Sequence, residues 1–380
     1  RRNIRRDVRG MTRRGARAAE IGARCRLTAE CVETGARGVS AGLIYPPSKY
    51  RTLDEIVAIS KVAAAYDGIF DVHMRNESDR IAESVEEVIE VGKRAGIPIL
   101  ITHFKVRGKR NWGKSSGLLK RLAEARAEGV DITSAQYPYT AGSTFLHAVI
   151  PPWYHTKGPN GLLEALKTQR EDIKRDIEQR HDWENMSEIL GWENVVVSAV
   201  ATDANKPCEG KSVMDIAEKK NVHPVDAVAD LLIAEELAVG MIIFGLDDVD
   251  ITAIMRDPAT SIITDGLLSG GKPHPRAYAT TARVLGRYVR EMGTITVEEA
   301  VRKLTSLPAA KVRLRRKGLL VPGMDADIVV FNPDQVAETN SYDDPMQHPM
   351  GFDYVFVHGQ AVVRNGEHTG ARPGRTIRDR

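Results

Sequence analysis

The stretch 68–104, GIFDVHMRNESDRIAESVEEVIEVGKRAGIPILITHF, decides the fold. It opens and closes on apolar runs, GIFDVH (68–73) and IPILITHF (97–104). Between them a charged segment spaces its aliphatic residues for an amphipathic helix over about 80–95 that stops at Gly96. Continuous apolar strands separated by a helix form a parallel βα unit, because both faces of such a sheet are covered.

The same rhythm extends outward in both directions. Upstream, GVSAGLIY (38–45) reads as a buried strand, and Thr52 with Glu55 makes a capping box for the helix that follows. Downstream, a helix over about 115–128 ends at Gly129 and leads into VDITSAQY (130–137). The rhythm breaks at about 140–190, where PPWYHTKGPNG precedes a charged helix (160–180); this reads as an insertion over the mouth of a barrel. It resumes with NVVVSAV (194–200), a helix over about 223–238, GMIIFGL (240–246) and TSIITDG (260–266), followed by two or three helices to about Arg316. ADIVVFN (326–332) and YVFVHGQAVV (354–363) are short strands with turn signals, suited to a small β-domain. The expected fold class is α/β: a (β/α)8 TIM-like barrel, with residues 1–315 as the barrel part and 316–380 as a C-terminal β-segment. No Gly-rich dinucleotide fingerprint follows the first strand, which weakens the doubly wound alternative.

Composition narrows the class of protein. At 380 residues, 42% hydrophobic and 28% charged, the chain has the make-up of a globular enzyme, and no apolar run approaches the roughly 18 residues of a membrane span. Three cysteines (Cys25, Cys31, Cys208) without CxxC spacing argue against a disulfide framework and for a reducing, cytoplasmic setting, with Cys25 and Cys31 as packing residues. The net charge of +3 is small. The Arg-rich start, RRNIRRDVRGMTRRGAR (1–17), lacks interleaved aromatics, so it reads as a solvated helix face rather than a nucleic-acid arm. Neither nucleic acid nor membrane is expected as a partner, and oligomeric state is left open.

In barrels of this kind chemistry sits at the C-terminal ends of strands. Three strands end on a possible metal ligand: His73, His103 and Asp265. Imidazole and carboxylate suit Zn²⁺, and a catalytic zinc takes about three protein ligands and an open water position. A single strand-end His is more often a hydrogen-bonded structural residue. Spacing alone leaves both readings open.

The surrounding words add a resemblance. HMRNE (73–77), THFKVRGKRNWG (102–113), AQYPYTAGST (135–144), ITDGLLSGGKPHPRAY (263–278) and TARVLGRYVRE (281–291), with GLIYPPSKY (42–50) and EHTGARPGR (367–375), resemble signature segments of the D-aminoacylase (N-acyl-D-amino-acid deacylase) family of amidohydrolases. The likeness implies a metal-dependent hydrolase barrel acting on small N-acyl amino acids, with His73 and His103 binding Zn²⁺ and Asp265 as catalytic base. It also implies that Lys105, Tyr137 and Arg276 hold the substrate α-carboxylate, chemistry that suits charge-assisted hydrogen bonds. A structural alternative for Arg276 is an ion pair at the start of its helix. His274 fits either a supporting role near the metal or a loop position, and is not assigned to the catalytic set.

Departures from the family pattern carry expectations of their own. The family's first barrel strand holds a His-x-His pair and an upstream Cys completes its zinc site, yet none of the ten histidines here form such a pair. With no initiator Met and no signal-peptide pattern, the chain is expected to be an N-terminally truncated fragment. The barrel would then be incomplete, zinc weakly held and activity poor. Ala135 stands where the family usually has Asp, removing a carboxylate beside Tyr137. Two other readings are carried along: a cyclic amidase of the dihydroorotase or hydantoinase type, and a catalytically inactive remnant.

Overall fold

The aliphatic runs become strands where both faces can be covered, and the computed structural model describes residues 4–11 and 13–377. Four strands come first: β1 (Gly38–Gly42), β2 (Ile69–His73), β3 (Ile99–Ile101) and β4 (Ile132–Gln136). Three follow as β5 (Ala141–Phe145), β6 (Val195–Ala199) and β7 (Gly240–Phe244), and then β8 (Thr260–Ile262). The main sheet runs β1-β2-β3-β4-β8, and every pair in it is parallel.

The helix between β2 and β3 spans Ile81–Ala95 and closes on Gly96 in the left-handed conformation, φ 62°. Its buried face carries Val85, Val88, Ile89 and Val91, each stabilising the unit by about 1.5–3 kcal/mol. Gly92 lets this helix lie close on the sheet: a Cβ there would stand 2.7 Å from Val130 Cγ1. Before β2, the helix Leu53–Ala64 starts on Thr52, whose side chain accepts from Glu55 N at 3.3 Å. Glu55's carboxylate pairs with buried Arg24 at 3.0 Å.

Three expectations change. The runs 194–200 and 240–246 do not continue the parallel rhythm. They form β6 and β7, which pair antiparallel with β5 in a separate three-stranded sheet ordered β5-β7-β6. An apolar run specifies burial and not the partner. Here the partners belong to a second core, from Leu146 to Ile243, which also takes the buried faces of the helices Gly158–Thr168 and Arg170–Gln179. The single charged helix expected over 160–180 is therefore two. The Arg-rich start, in turn, is not wholly solvated: in the helix Ile4–Arg9, Arg5 is fully buried and lies 5.7 Å from the centre of the Tyr50 ring.

After β8 come the helices Arg276–Arg283, Val284–Glu291 (π-helical), Val297–Leu304 and Ser306–Lys311. The tail forms an antiparallel sheet of β9 (Ile328–Phe331), β10 (Phe352–Val357), β11 (Gln360–Arg364) and β12 (Glu367–His368). The three cysteines are free thiols. Among the described residues no helix is long and apolar enough to cross a membrane.

Candidate active site

Parallel pairing puts the C-terminal ends of β2, β3, β4 and β8 on one rim, and the sequence-identified residues lie at those ends. His73 is the last residue of β2. His103 lies two residues beyond β3 and Asp265 three beyond β8, both at positive φ, 44° and 45°. Non-glycine residues adopt this left-handed backbone at a cost of about 1–3 kcal/mol, and they do so preferentially at functional sites. Behind His103 the turn is fastened by Phe104 N donating to Ala135 O at 2.7 Å.

The two imidazoles meet. Nε2 of His103 contacts Nδ1 of His73, and the ring centres are 4.3 Å apart. Burial first, and the neighbouring His103 second, push His73 down to about 4, so it presents a neutral ring at pH 7. Imidazole nitrogens converging on one point are the donors that zinc takes when they are unprotonated. Among the described residues no group of three or more His, Cys, Asp or Glu is placed to hold a metal ion, so the donor chemistry fits zinc as a pair of ligands rather than a closed shell.

Asp265 is paired with Arg276 Nη2 at 2.9 Å. Arg276 begins its helix, is 1% exposed, and stacks 4.3 Å from the centre of the Tyr137 ring. Two of its donors, Nε and Nη1, are buried with no hydrogen-bond partner. His274 fastens this arginine, its Nδ1 accepting from Arg276 N (3.1 Å) while Nε2 meets Ala141 O (2.9 Å). Burial, and then the Arg276 charge, hold His274 well below the usual imidazole range. It is thus a neutral tie between the loop and β5. Tyr137 is buried, its phenol shifted upward by burial, and it stays a neutral donor.

Lys105 is brought to the same place but is already engaged. Its Nζ donates to Glu77 Oε1 at 2.6 Å and to His103 O at 2.8 Å, and lies 2.7 Å from His103 Nδ1. Burial lowers it to about 8, with Glu77 opposing. Glu77 escaped the sequence reading although HMRNE contains it. It is buried, accepts from Arg107 Nη2 at 2.8 Å, and sits 2.9 Å from His103 Nδ1. Against the cost of burial, Lys105, His103 and Arg107 hold its carboxyl well below the ordinary range. Arg107 also pairs with Glu184 at 3.0 Å, which reaches in from outside the parallel sheet. Burial drives Glu184 the opposite way, upward: Arg107 opposes this, but the Glu77 charge adds to it. For Glu77 and Arg107 a signal was available, since the stretch 73–107 carries a carboxyl-bearing word (HMRNE) and a cationic one (KVR) after successive strands.

The class of protein follows from comparison. Residues 191–363 match the Amidohydrolase family. The chain is 32% identical to a D-aminoacylase of Alcaligenes xylosoxydans xylosoxydans over 367 residues, 96% of this chain and 66% of that protein. An N-acyl-D-glutamate deacylase from Bordetella bronchiseptica, whose crystal structure is complexed with zinc and a phosphonate inhibitor, superposes with a TM-score of 0.82 at 29% identity, covering 99% of this chain and 70% of that one. A D-aminoacylase whose crystal structure defines a novel subset of amidohydrolases superposes with a TM-score of 0.81 at 30% identity, covering 97% and 68%. The chain belongs to the D-aminoacylase branch of the amidohydrolases, with the α/β barrel architecture of that family. It spans 63 to 66% of the length of the curated relatives it matches.

Proposed function

We propose that the chain hydrolyses the amide bond of N-acyl-D-amino acids, giving a carboxylate and a free D-amino acid. The observation that carries this reading is Arg276: a buried guanidinium with two unpartnered donors, stacked on Tyr137 and paired with the candidate base. Leaving buried N–H groups unpaired costs about 1–3 kcal/mol each, and a planar carboxylate matches the fork. Lys105 and Tyr137 complete the cradle on the same rim, with Lys105 Nζ 5.6 Å from the Tyr137 ring centre. The preference for D substrates is supported by the relatives alone.

Zinc held by His73 and His103 would supply Lewis acidity toward the amide carbonyl and lower the pKa of a bound water to about 7. The chain's own part is positioning and proton transfer. Arg276 and Tyr137 orient the substrate by its carboxylate. As that carboxylate engages Arg276, Asp265 is freed to take a proton from the attacking water and then deliver it to the departing amine.

The test is hydrolysis of N-acetyl-D-amino acids by the zinc-supplemented chain, compared with Asp265→Asn. Loss of the base should lower kcat by about a hundredfold to ten-thousandfold. A variant that keeps most of its activity refutes the assignment. Metal analysis separates the remaining reading: bound zinc supports the deacylase, and none an inactive remnant.

A further inference from the structure

His103 has two ring nitrogens and three neighbours that make incompatible demands on them. Nδ1 lies 2.7 Å from Lys105 Nζ and 2.9 Å from Glu77 Oε1, while Nε2 meets Nδ1 of His73. A neutral imidazole carries one N–H and one lone pair, so Nδ1 cannot accept from Lys105 and donate to Glu77 together. With the proton on Nε2 the contacts to His73 and Lys105 are hydrogen bonds, and the one between Nδ1 and Glu77 Oε1 is not. Nε2–H donates to His73, and the three Lys105 hydrogens go to Glu77 Oε1, His103 O and His103 Nδ1. A metal on Nε2 needs the lone pair there, so the ring must carry its proton on Nδ1. Glu77 Oε1 is placed to accept it. The third Lys105 hydrogen then loses its acceptor and must turn outward, on the side where the Tyr137 ring lies.

We propose that the tautomer of His103 couples metal binding to carboxylate binding. Metal at Nε2 selects the Nδ1–H form, Glu77 holds that form, and Lys105 gains a free donor for the substrate carboxylate. Nε2 loses one proton and Nδ1 gains one, so the switch releases none. Glu77 is a positioning residue here, acting through His103 and Lys105. The proposal deepens the deacylase reading and rests on it for the identities of metal and carboxylate.

Long-range ¹H–¹⁵N NMR of the full chain, with labelled histidines, tests the switch. Metal-free protein should show His103 as Nε2–H. Zinc should convert it to Nδ1–H, and so should Lys105→Met without zinc, by removing the competing donor. The same tautomer in all three states overturns the proposal, and the zinc titration of the unaltered chain decides it if the variant fails to fold. Glu77→Gln should weaken zinc binding by about 10- to 100-fold in chelator competition, and unchanged affinity also counts against the proposal. If the unaltered chain takes up no zinc, the zinc-dependent reading fails, while the metal-free comparison still decides the switch.

Discussion

Arg107→Met should be among the more damaging single changes in the molecule, for a reason that can be worked from distances. Its guanidinium bridges two carboxylates, Glu77 at 2.8 Å and Glu184 at 3.0 Å, and the three side chains are 6%, 3% and 1% exposed. Methionine fills most of the volume and removes the charge together with the N–H donors to Glu77 and Glu184. Glu77 keeps Lys105 beside it, whereas Glu184 is left in a site where burial already raises its pKa, with only the Glu77 backbone N–H and the weaker pull of Lys49 to oppose it. Breaking a buried pair from one side costs about 3–5 kcal/mol. That corresponds to a fall in Tm of about 4–6 °C for a chain of this size. The sign with pH follows from linkage. A carboxyl whose folded pKa is raised contributes stability that is fully present below its unfolded pKa and is lost as pH rises through the folded value. The deficit of the variant should therefore narrow as pH falls from 8 to 6, by up to about 1.4 kcal/mol per pH unit. Adding Glu184→Gln should restore at least about 1 kcal/mol at pH 8. Urea unfolding followed by tryptophan fluorescence measures all three. A deficit below about 1 kcal/mol at pH 8, or one that does not change with pH, refutes the reasoning.

Three further outcomes are expected. His155 is held at about 4 by burial and by neighbouring His147, so stability present above pH 6.5 should be lost as pH falls toward 4, by about 3 kcal/mol in all; His155→Phe should flatten that slope, and parallel unfolding profiles count against it. Arg276→Lys keeps the charge but loses the fork and the stacking on Tyr137, and should raise KM for an N-acyl amino acid about tenfold to a hundredfold; wild-type kinetics would remove Arg276 from the carboxylate cradle. A Cβ at Gly38 would stand 2.0 Å from Ile69 O in the paired strand, so Gly38→Ala should destabilise by at least about 1–3 kcal/mol, whereas Gly117→Ala, in open space on a helix, should stabilise by up to about 1 kcal/mol. Thermal unfolding of the two variants gives opposite signs or the packing argument is wrong.

Much of the parallel sheet was legible because its information is local. Aliphatic runs bounded by Gly96 and Gly129, and a cap at Thr52, mark where strands and helices start and stop. Pairing is not local. The runs that became β6 and β7 look in sequence like β2 and β3, and only contact with β5 and the second core makes them antiparallel. Arg5 shows the same limit: a charge-rich segment predicts a wet face, but nothing in its own residues shows that Tyr50 will cover one of its arginines.

The candidate site divides along the same line. His73, His103 and Asp265 could be found because a strand end is a position in sequence as well as in space. Lys105, Tyr137 and Arg276 came from family likeness, and the structure gathers them on the same rim, with Lys105 already held by Glu77 and Arg276 by Asp265. Glu77 was visible as a letter but not as a participant, because its importance depends on which way the His103 ring is turned. Glu184 is more remote still, 107 residues from the backbone N–H of Glu77 that it accepts from. A carboxylate that orients a ligand's second nitrogen has no spacing rule, since it can arrive from any element that packs nearby. Residues that contact the reacting atoms are therefore constrained by the barrel's geometry and can be read. Those that set a proton's position are constrained only by packing, and for them the side-chain network has to be seen.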